Sequence, residues 1–215
     1  MQDALIIQKV DLPQPRPTEL VLLFHGVGSS AEDLRPLGEA LARVLKHAWI
    51  ISVRSPLESE LGGWQWFSVQ EVTEANRPAR VAAAMPRFVE SVCHWQRESG
   101  VDAAATTLIG FSQGAIMALE ATQRPEFLAG RVIAIAGRFA QAPHVAPPQT
   151  ELNLLHGEAD RVMPVALAVD AAASLRSLGA RVTLDRYAGL AHGIDGRVAQ
   201  RIVELLGQQA RQETS

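Results

Sequence analysis

Apolar residues along the chain cluster in short runs in which they occupy consecutive rather than alternating positions. The clearest runs lie at 19–26, 48–54, 105–111, 131–137, 151–157 and 181–187. An alternating pattern would indicate a strand with one face in solvent, whereas a continuous apolar run is typical of a strand covered on both faces. We therefore predict buried strands of the kind found in parallel sheets.

Segments with helical spacing of their apolar residues alternate with these runs. The predicted helices span 33–46, 79–98, 113–123, 165–178 and 194–210. Strands that alternate with helices favour a mostly parallel central sheet with helices on both faces, which is a three-layer α/β sandwich. The leading segment ALIIQKV, at 4–10, reads as a further strand, and we expect it at an antiparallel edge of the sheet.

Two stretches, 55–78 and 138–150, show neither helical nor strand periodicity. Long loops in α/β proteins are the places where binding and catalytic sites are built. The sequence contains no internal repeat, low-complexity tail or inter-domain linker, so we expect residues 1–215 to form a single domain.

Composition narrows the classes of function and partner. The 215 residues carry a formal net charge of −3, so we expect no basic face and no nucleic-acid partner. No apolar stretch reaches the ~18 residues of a membrane helix, and we expect no membrane span. Cys93 is the sole cysteine, which excludes an internal disulfide. Because no apolar signal-peptide core is evident around Asp3, we expect a cytoplasmic protein; homodimer formation stays open.

The segment Gly110-Phe111-Ser112-Gln113-Gly114 matches the pattern G-x-S-x-G between a predicted strand and a predicted helix. A serine at such a sharp turn is held in a strained conformation with its hydroxyl exposed. Neighbouring chain passes close to the positions two before and two after the serine, so both must be glycine. The pattern favours Ser112 as a nucleophile; a glycine–serine turn with a capping serine is the alternative.

A serine hydroxyl needs a general base, and the base needs an acid that orients it. His192 follows the last predicted strand, and Glu158 and Asp160 follow the strand before it. Catalytic groups collect at the carboxyl ends of parallel strands, so we predict His192 as the base. We prefer Asp160 to Glu158 as the acid because it lies further into its loop.

The remaining histidines are assigned to structural or surface positions. His25 and His156 each precede a glycine at a strand end, where we expect a hydrogen bond to nearby backbone. His47 and His94 lie on predicted helices, and His144 lies in a proline-rich loop. His156 and the acid after it lack a third ligand at suitable spacing, so we predict no metal site.

The negative charge that develops on a tetrahedral intermediate requires hydrogen-bond donors. We predict the backbone N–H of Gln113, beside the serine at a helix N-terminus, as one donor. The loop 25–30, HGVGSS, can turn further N–H groups inward, and we assign Val27 as the second donor. Two alternatives are that this loop only leads into a capped helix or that it binds phosphate, although it lacks the lysine of a phosphate loop.

Five segments, in the order FHGVGSS, WQWFSVQ, LIGFSQGAIMAL, HGEADRVMP and AGLAHGI, resemble the phospholipase/carboxylesterase family of α/β-hydrolases. That family includes acyl-protein thioesterases and small bacterial carboxylesterases. The resemblance implies an α/β-hydrolase fold with no large lid, no cofactor, and a catalytic triad of Ser112, Asp160 and His192. It likewise implies Val27 and Gln113 as the oxyanion donors.

The resemblance also concerns the acyl pocket. Trp66 and Phe67 would line its acyl side, whereas for Trp64 a pocket wall and a structural contact are equally open. Met163 stands where the family usually has a β-branched residue, and AHG replaces the commoner context of the histidine. We expect both departures to change the shape of the pocket, with Met163 as a further substrate-binding residue.

These observations favour a serine carboxylesterase whose partner is a small-molecule acyl ester of short to medium chain length. An acyl thioesterase or a lysophospholipase would use the same nucleophile and the same oxyanion donors. A catalytically inactive binding protein of the same fold is the remaining hypothesis, because fold alone does not establish activity.

Overall fold

The computed structural model describes residues 4–10 and 17–212, with only the backbone described at 208–212. Its strands are β1 (Ala4–Gln8), β2 (Glu19–Phe24), β3 (Ala48–Val53), β4 (Leu57–Glu58), β5 (Trp64–Gln65), β6 (Thr106–Phe111), β7 (Arg131–Ile135), β8 (Glu151–Gly157) and β9 (Val182–Tyr187). Its α-helices are α1 (Arg35–Ala42), α2 (Arg77–Ser99), α3 (Gln113–Ala121), α4 (Ala166–Ser177) and α5 (Gly196–Gln212). The expectation about a signal peptide around Asp3 falls on residues outside the described ranges.

Seven of these strands form one sheet in the order β1-β3-β2-β6-β7-β8-β9. Neighbouring strands from β3 to β9 are parallel, and β1 pairs antiparallel with β3. The predicted mostly parallel sheet and its antiparallel edge strand are therefore confirmed. The segment 55–78 also contains β4 and β5, which form a small separate hairpin that the sequence pattern did not indicate.

The central strands are buried on both faces, as their continuous apolar runs predict. In β2, Leu20, Leu22 and Phe24 face one side of the sheet, while Val21 and Leu23 face the other. The first side packs against α2, α3 and α4, and the second packs against α1 and α5. This arrangement confirms the three-layer α/β sandwich.

The loops that carry the predicted site follow the carboxyl ends of β2, β6, β8 and β9, which meet at one edge of the sheet. The loop after β2 leads into a 3-10 helix at Ala31–Leu34, and a capping box fixes the start of that helix. Within the box, Asp33 accepts a hydrogen bond from the Ser30 N–H and the Ser30 hydroxyl accepts one from the Glu32 N–H. The loop therefore reaches the site with a defined path.

Candidate active site

Ser112 lies at the turn between β6 and α3, with φ 53° and ψ −115°. Its N–H donates to the Ile135 carbonyl at 3.0 Å, and its own carbonyl accepts from the Ile116 N–H at 3.1 Å. A positive φ is costly for a residue with a side chain, and such strain persists only where the surroundings enforce it. The turn therefore presents the Ser112 hydroxyl at the carboxyl edge of the sheet.

Close backbone contacts explain the glycines on either side of this serine. A Cβ added at Gly114 would collide with the backbone carbonyl of Phe24 in β2. A Cβ added at Gly110 would meet the backbone of Ala115 in α3. The prediction that neighbouring chain passes too close for any side chain at both positions is confirmed.

Three side chains that are distant in sequence form a continuous hydrogen-bonded chain at this edge. His192 Nε2 lies 2.9 Å from Ser112 Oγ, and His192 Nδ1 lies 2.7 Å from Asp160 Oδ2. Because the carboxylate can only accept, His192 Nδ1 carries the proton and Nε2 is free to accept from the serine hydroxyl. The structure thus brings the predicted nucleophile, base and acid together; their catalytic roles stay predictions.

The carboxylate of Asp160 is fully buried and is held by further donors. Its Oδ1 accepts hydrogen bonds from the N–H groups of Val162 at 2.8 Å and Met163 at 2.9 Å. Burial acts to raise the pKa of Asp160, but the hydrogen bonds from His192, Met163 and Val162 outweigh it and hold that pKa below its usual value. The acid therefore stays ionised beside the His192 ring at neutral pH.

His156 supports the same carboxylate in a way that the sequence did not indicate. Its Nε2 donates to the Met163 carbonyl at 2.7 Å, which confirms the predicted bond to nearby backbone. The same nitrogen lies 3.3 Å from Asp160 Oδ2. Since both neighbours are acceptors, Nε2 must carry a proton, and His156 holds both the acid and the turn that follows it.

His25 anchors the loop after β2. Its Nδ1 donates to the Gly26 carbonyl at 2.7 Å, and its Nε2 accepts from the Ser55 N–H at 3.1 Å. Burial lowers the pKa of His25, outweighing the hydrogen bond to Gly26, so the neutral form is favoured. The structural role predicted for His25 is confirmed, and this bond fixes the backbone next to Val27.

The predicted oxyanion donors both border the cavity that contains Ser112. Gln113 is the first residue of α3, so its N–H has no carbonyl partner within the helix. The loop around Val27 is pinned to β5 because the Gly28 N–H donates to the Trp64 carbonyl at 3.0 Å and the Trp64 N–H donates to the Ser29 carbonyl at 2.8 Å. The part of Val27 and Gln113 in oxyanion binding stays a prediction.

The cavity that contains Ser112 is called here the catalytic cavity, after its predicted nucleophile. It measures about 620 Å³ and has a largely apolar wall. Phe67 and Met163, which the resemblance placed in the pocket, both line it. Trp66 instead lies in the core, where its ring packs against Phe24 and Phe88 at centroid distances of 6.0 and 5.1 Å. Phe67 therefore forms the wall, and Trp66 supports the wall from behind.

The side chain of Gln113 is a feature that sequence reasoning missed. Its Oε1 accepts from the Trp66 N–H and its Nε2 donates to the Phe67 carbonyl, both at 2.7 Å. A polar residue that opens an otherwise apolar helix is the signal that could have revealed it. The side chain joins the pocket wall to the residue next to the nucleophile.

Two other carboxylates, on the loop after β8 and on β9, pair with arginines. Glu158 is exposed and lies 3.6 Å from Arg186. Asp185 pairs with Arg201 at 3.0 Å. Trp64, whose role was left open, stacks under the Arg54 guanidinium at 3.7 Å and is absent from the residues that line the catalytic cavity.

The described ranges contain neither a metal-binding cluster nor a membrane-spanning helix. No group of three or more His, Cys, Asp or Glu side chains there could hold a metal ion. Within residues 4–10 and 17–212, no helix combines the length and apolar character needed to cross a bilayer.

A model of the phospholipase/carboxylesterase family matches residues 6–209. The chain belongs to this family. It is 46% identical over 199 residues to Esterase YpfH of Escherichia coli (strain K12), an alignment that covers 92% of this chain and 84% of that protein. The resemblance inferred from the five sequence segments is therefore confirmed.

Solved structures of other hydrolases share this fold. The crystal structure of esterase PE8 aligns with a TM-score of 0.80 at 27% identity, covering 89% of this chain and 92% of that one. The Bacillus cereus carboxylesterase also aligns with a TM-score of 0.80, at 19% identity, covering 98% of this chain and 95% of that one. The α/β-hydrolase fold is thus confirmed.

Proposed function

We propose that this protein is a serine carboxylesterase that hydrolyses small acyl esters of short to medium chain length. As a member of the phospholipase/carboxylesterase family, the chain is a carboxylic ester hydrolase. The observation that carries the finer proposal is the unbroken hydrogen-bonded chain from Ser112 Oγ through the His192 ring to Asp160.

The geometry supports a two-step reaction with an acyl-enzyme intermediate. Ser112 Oγ attacks the ester carbonyl carbon while His192 Nε2 takes the hydroxyl proton, and the C–O bond to the alcohol breaks as that proton passes to the leaving oxygen. Water then attacks the acyl-enzyme by the same route, which releases the acid and restores the serine. Asp160 keeps the proton on His192 Nδ1 and stabilises the imidazolium without itself becoming protonated.

The carbonyl oxygen becomes an oxyanion in each step. We assign the N–H groups of Val27 and Gln113 to it, and each such donor contributes about 10²–10³ in rate. The apolar wall that includes Phe67 and Met163 suits the acyl chain, because burying apolar surface favours binding. These assignments support an ester substrate whose acyl chain is apolar.

The decisive experiment is labelling with a fluorophosphonate probe together with hydrolysis of a p-nitrophenyl ester. Wild-type protein should react at Ser112 and turn over the ester, and Ser112→Ala should lose both. Ser52→Ala is the matched control, since Ser52 is a fully buried serine in β3 whose hydroxyl has no hydrogen-bond partner within the described residues. Wild-type protein that neither labels nor hydrolyses any ester would refute the proposal.

Thioesters and lysophospholipids are the alternative substrates, because they need the same nucleophile and the same donors. A panel of acyl-CoA thioesters, lysophospholipids and p-nitrophenyl esters of equal chain length separates them by kcat/KM.

We also propose a cytoplasmic location, which the single cysteine supports because a disulfide framework is absent.

A further inference from the structure

Glu74 joins two arginines at one wall of the catalytic cavity. Its Oε1 and Oε2 accept from Arg138 Nη1 at 3.0 Å and Nη2 at 2.7 Å, so the pair is bidentate. Oε1 also lies 2.7 Å from Arg77 Nη1. The side chains of both arginines are only about 15% exposed, whereas the Glu74 side chain is 70% exposed.

A second cavity lies on the other side of this pair. It measures about 390 Å³ and is lined by Pro78 at the start of α2, by the loop 139–143 and by the face of α4 that carries Ala171. Glu74, Arg138 and Leu167 line both this cavity and the catalytic one. The ion pair is therefore a wall that the two cavities share.

We propose that the Glu74–Arg138 pair, called here the partition, limits the length of the acyl chain that the catalytic cavity accepts. The inference rests on the proposed esterase function and assigns a specificity-determining role to two residues outside the triad. An acyl chain extending from Ser112 runs along the apolar wall until it reaches the partition, and the second cavity lies beyond it.

The chemistry of the partition explains why it stops an apolar chain. Each methylene group that leaves water favours binding, whereas covering a paired carboxylate and guanidinium without new hydrogen bonds is unfavourable. The partition is also fixed in place, because Arg138 Nε donates to the Phe139 carbonyl at 3.0 Å. An acyl chain long enough to touch the ion pair therefore no longer gains binding free energy from each added methylene group, as shorter chains do.

The pair persists over the working range of pH. Hydrogen bonds from Arg138 and then from Arg77 lower the pKa of Glu74 to about 2. The carboxylate is thus ionised whenever the enzyme is assayed near neutral pH, and it fills the two-pronged face of Arg138. For the same reason, we do not assign Arg138 to the recognition of an anionic substrate.

The test compares kcat/KM for p-nitrophenyl esters from acetate to dodecanoate in wild type and in the double variant Glu74→Ala/Arg138→Ala. Wild-type kcat/KM should rise with chain length and then fall. The double variant should shift that maximum to longer chains and raise the ratio of dodecanoate to butyrate kcat/KM by about tenfold, a factor that two additional buried methylene groups supply. The change should appear mainly in KM.

A matched control is the bidentate pair of Arg124 and Glu126, which lies at 2.9–3.1 Å beyond the end of α3 and does not line the catalytic cavity. Arg124→Ala/Glu126→Ala should leave the length ratio within about twofold of wild type, the range expected of a surface pair. If Glu74→Ala/Arg138→Ala hydrolyses butyrate normally but leaves the ratio of dodecanoate to butyrate kcat/KM unchanged, the proposed role of the partition is wrong. The esterase proposal would still stand.

Arg138→Met provides a second variant that keeps an apolar stem and leaves Glu74 paired with Arg77. It should move the length ratio in the same direction by a smaller factor. A readout without turnover is the displacement of a fluorescent fatty acid by unlabelled fatty acids of increasing length. If the partition is correct, affinity for long fatty acids rises in both variants; equal length dependence in all proteins would overturn it even if no ester were hydrolysed.

Discussion

Asp160 accepts hydrogen bonds from Val162 and Met163 on one carboxylate oxygen and from His192 on the other. Because the two backbone N–H groups bind Oδ1, Oδ2 is the oxygen that faces the His192 ring. In Asp160→Asn, the two backbone N–H groups would retain the amide oxygen, so the amide NH₂ would face His192 Nδ1. His192 would then carry its proton on Nε2, and a protonated Nε2 cannot accept the proton of the Ser112 hydroxyl.

We therefore expect Asp160→Asn to lower kcat by about 10⁴ with p-nitrophenyl esters, with the fold retained. Glu158→Gln is the control, because Glu158 lies two residues earlier on the exposed side of the same loop. Its kcat should stay within about twofold of wild type. Steady-state kinetics with matched circular dichroism spectra decide the matter, and comparable losses in the two variants would contradict the assignment of the acid.

Glu120 gives a pH-dependent prediction. Burial raises the pKa of Glu120, against the hydrogen bonds from the N–H groups of Ala140 and Gln141 and the charge of His144. The folded pKa therefore exceeds the unfolded one, so the stability contributed by Glu120 is full below ~4.3 and is lost as pH rises through the folded pKa. Glu120→Gln keeps an acceptor for the Ala140 N–H but does not titrate.

The stability of Glu120→Gln relative to wild type should consequently increase as the pH rises from about 4.5 to about 7.5. Urea unfolding at a series of pH values measures this difference. Glu126→Gln serves as the comparison, because a hydrogen bond from Arg124 lowers the pKa of that exposed carboxyl and the trend should not appear. A difference between Glu120→Gln and wild type that does not vary with pH would count against the buried carboxylate.

The sequence indicates candidate site residues that lie in a short motif or directly after a predicted strand. The flanking glycines mark Ser112, and positions just after β9 and β8 mark His192 and Asp160. The Glu74–Arg138 contact joins residues 64 positions apart in two aperiodic loops, so no sequence pattern marks it. Such contacts depend on how loops fold over the sheet, which periodicity does not encode.

At the scale of elements, the pattern of continuous apolar runs predicted the central strands to within one or two residues. It did not predict β4 and β5, because strands of two residues have no measurable period. Their position is set instead by pairing of Trp64 with Ser29 in the loop after β2. Trp66, which the resemblance places in the pocket, lies in the core instead, because a sequence motif does not tell which of two adjacent aromatic residues turns inward.

Helix α3 is attached to loops by a glutamine at each end. Gln113 clamps the backbone of Trp66 and Phe67, whereas Gln123 accepts from the N–H groups of His144 and Val145 just beyond the other end. Removing Gln113 leaves buried backbone groups without partners, which costs about 1–3 kcal/mol. The pocket wall should therefore loosen.

We expect Gln113→Ala, which keeps the backbone N–H, to lower kcat/KM for a medium-chain ester about tenfold, mainly through KM. Gln123→Ala removes an equivalent clamp from His144 and Val145, which do not line the catalytic cavity, and its kcat/KM should remain near that of wild type. Chain-length kinetics on both variants test the difference. Equal effects of the two substitutions would show that the clamp at Gln113 has no special relation to the pocket.

At the scale of the whole molecule, alternate residues of the same strands supply both apolar clusters. Val21 and Leu23 belong to the cluster beneath α1 and α5, while Leu20 and Leu22 belong to the one beneath α2, α3 and α4. Neither face can lose its helices without exposing strands that the other face needs. We therefore propose that the chain folds as a single domain.

Urea unfolding should accordingly give one transition with the same midpoint by tryptophan fluorescence and by far-ultraviolet circular dichroism. Trp49, Trp66 and Trp95 all report on one face, whereas circular dichroism reports on the whole sheet and all helices. Two separated midpoints would show that the two faces unfold independently and would refute the single domain.

The two edges of the sheet differ in how they face neighbouring molecules. β9 carries the charged residues Asp185 and Arg186, and charged edge strands resist pairing with other chains. β3, with the sequence AWIISV, is apolar and fully buried, and β1 covers the backbone groups of its outer side. The five residues of β1 thus shield an apolar strand, and proteolytic loss of β1 would expose β3 as a template for intermolecular aggregation.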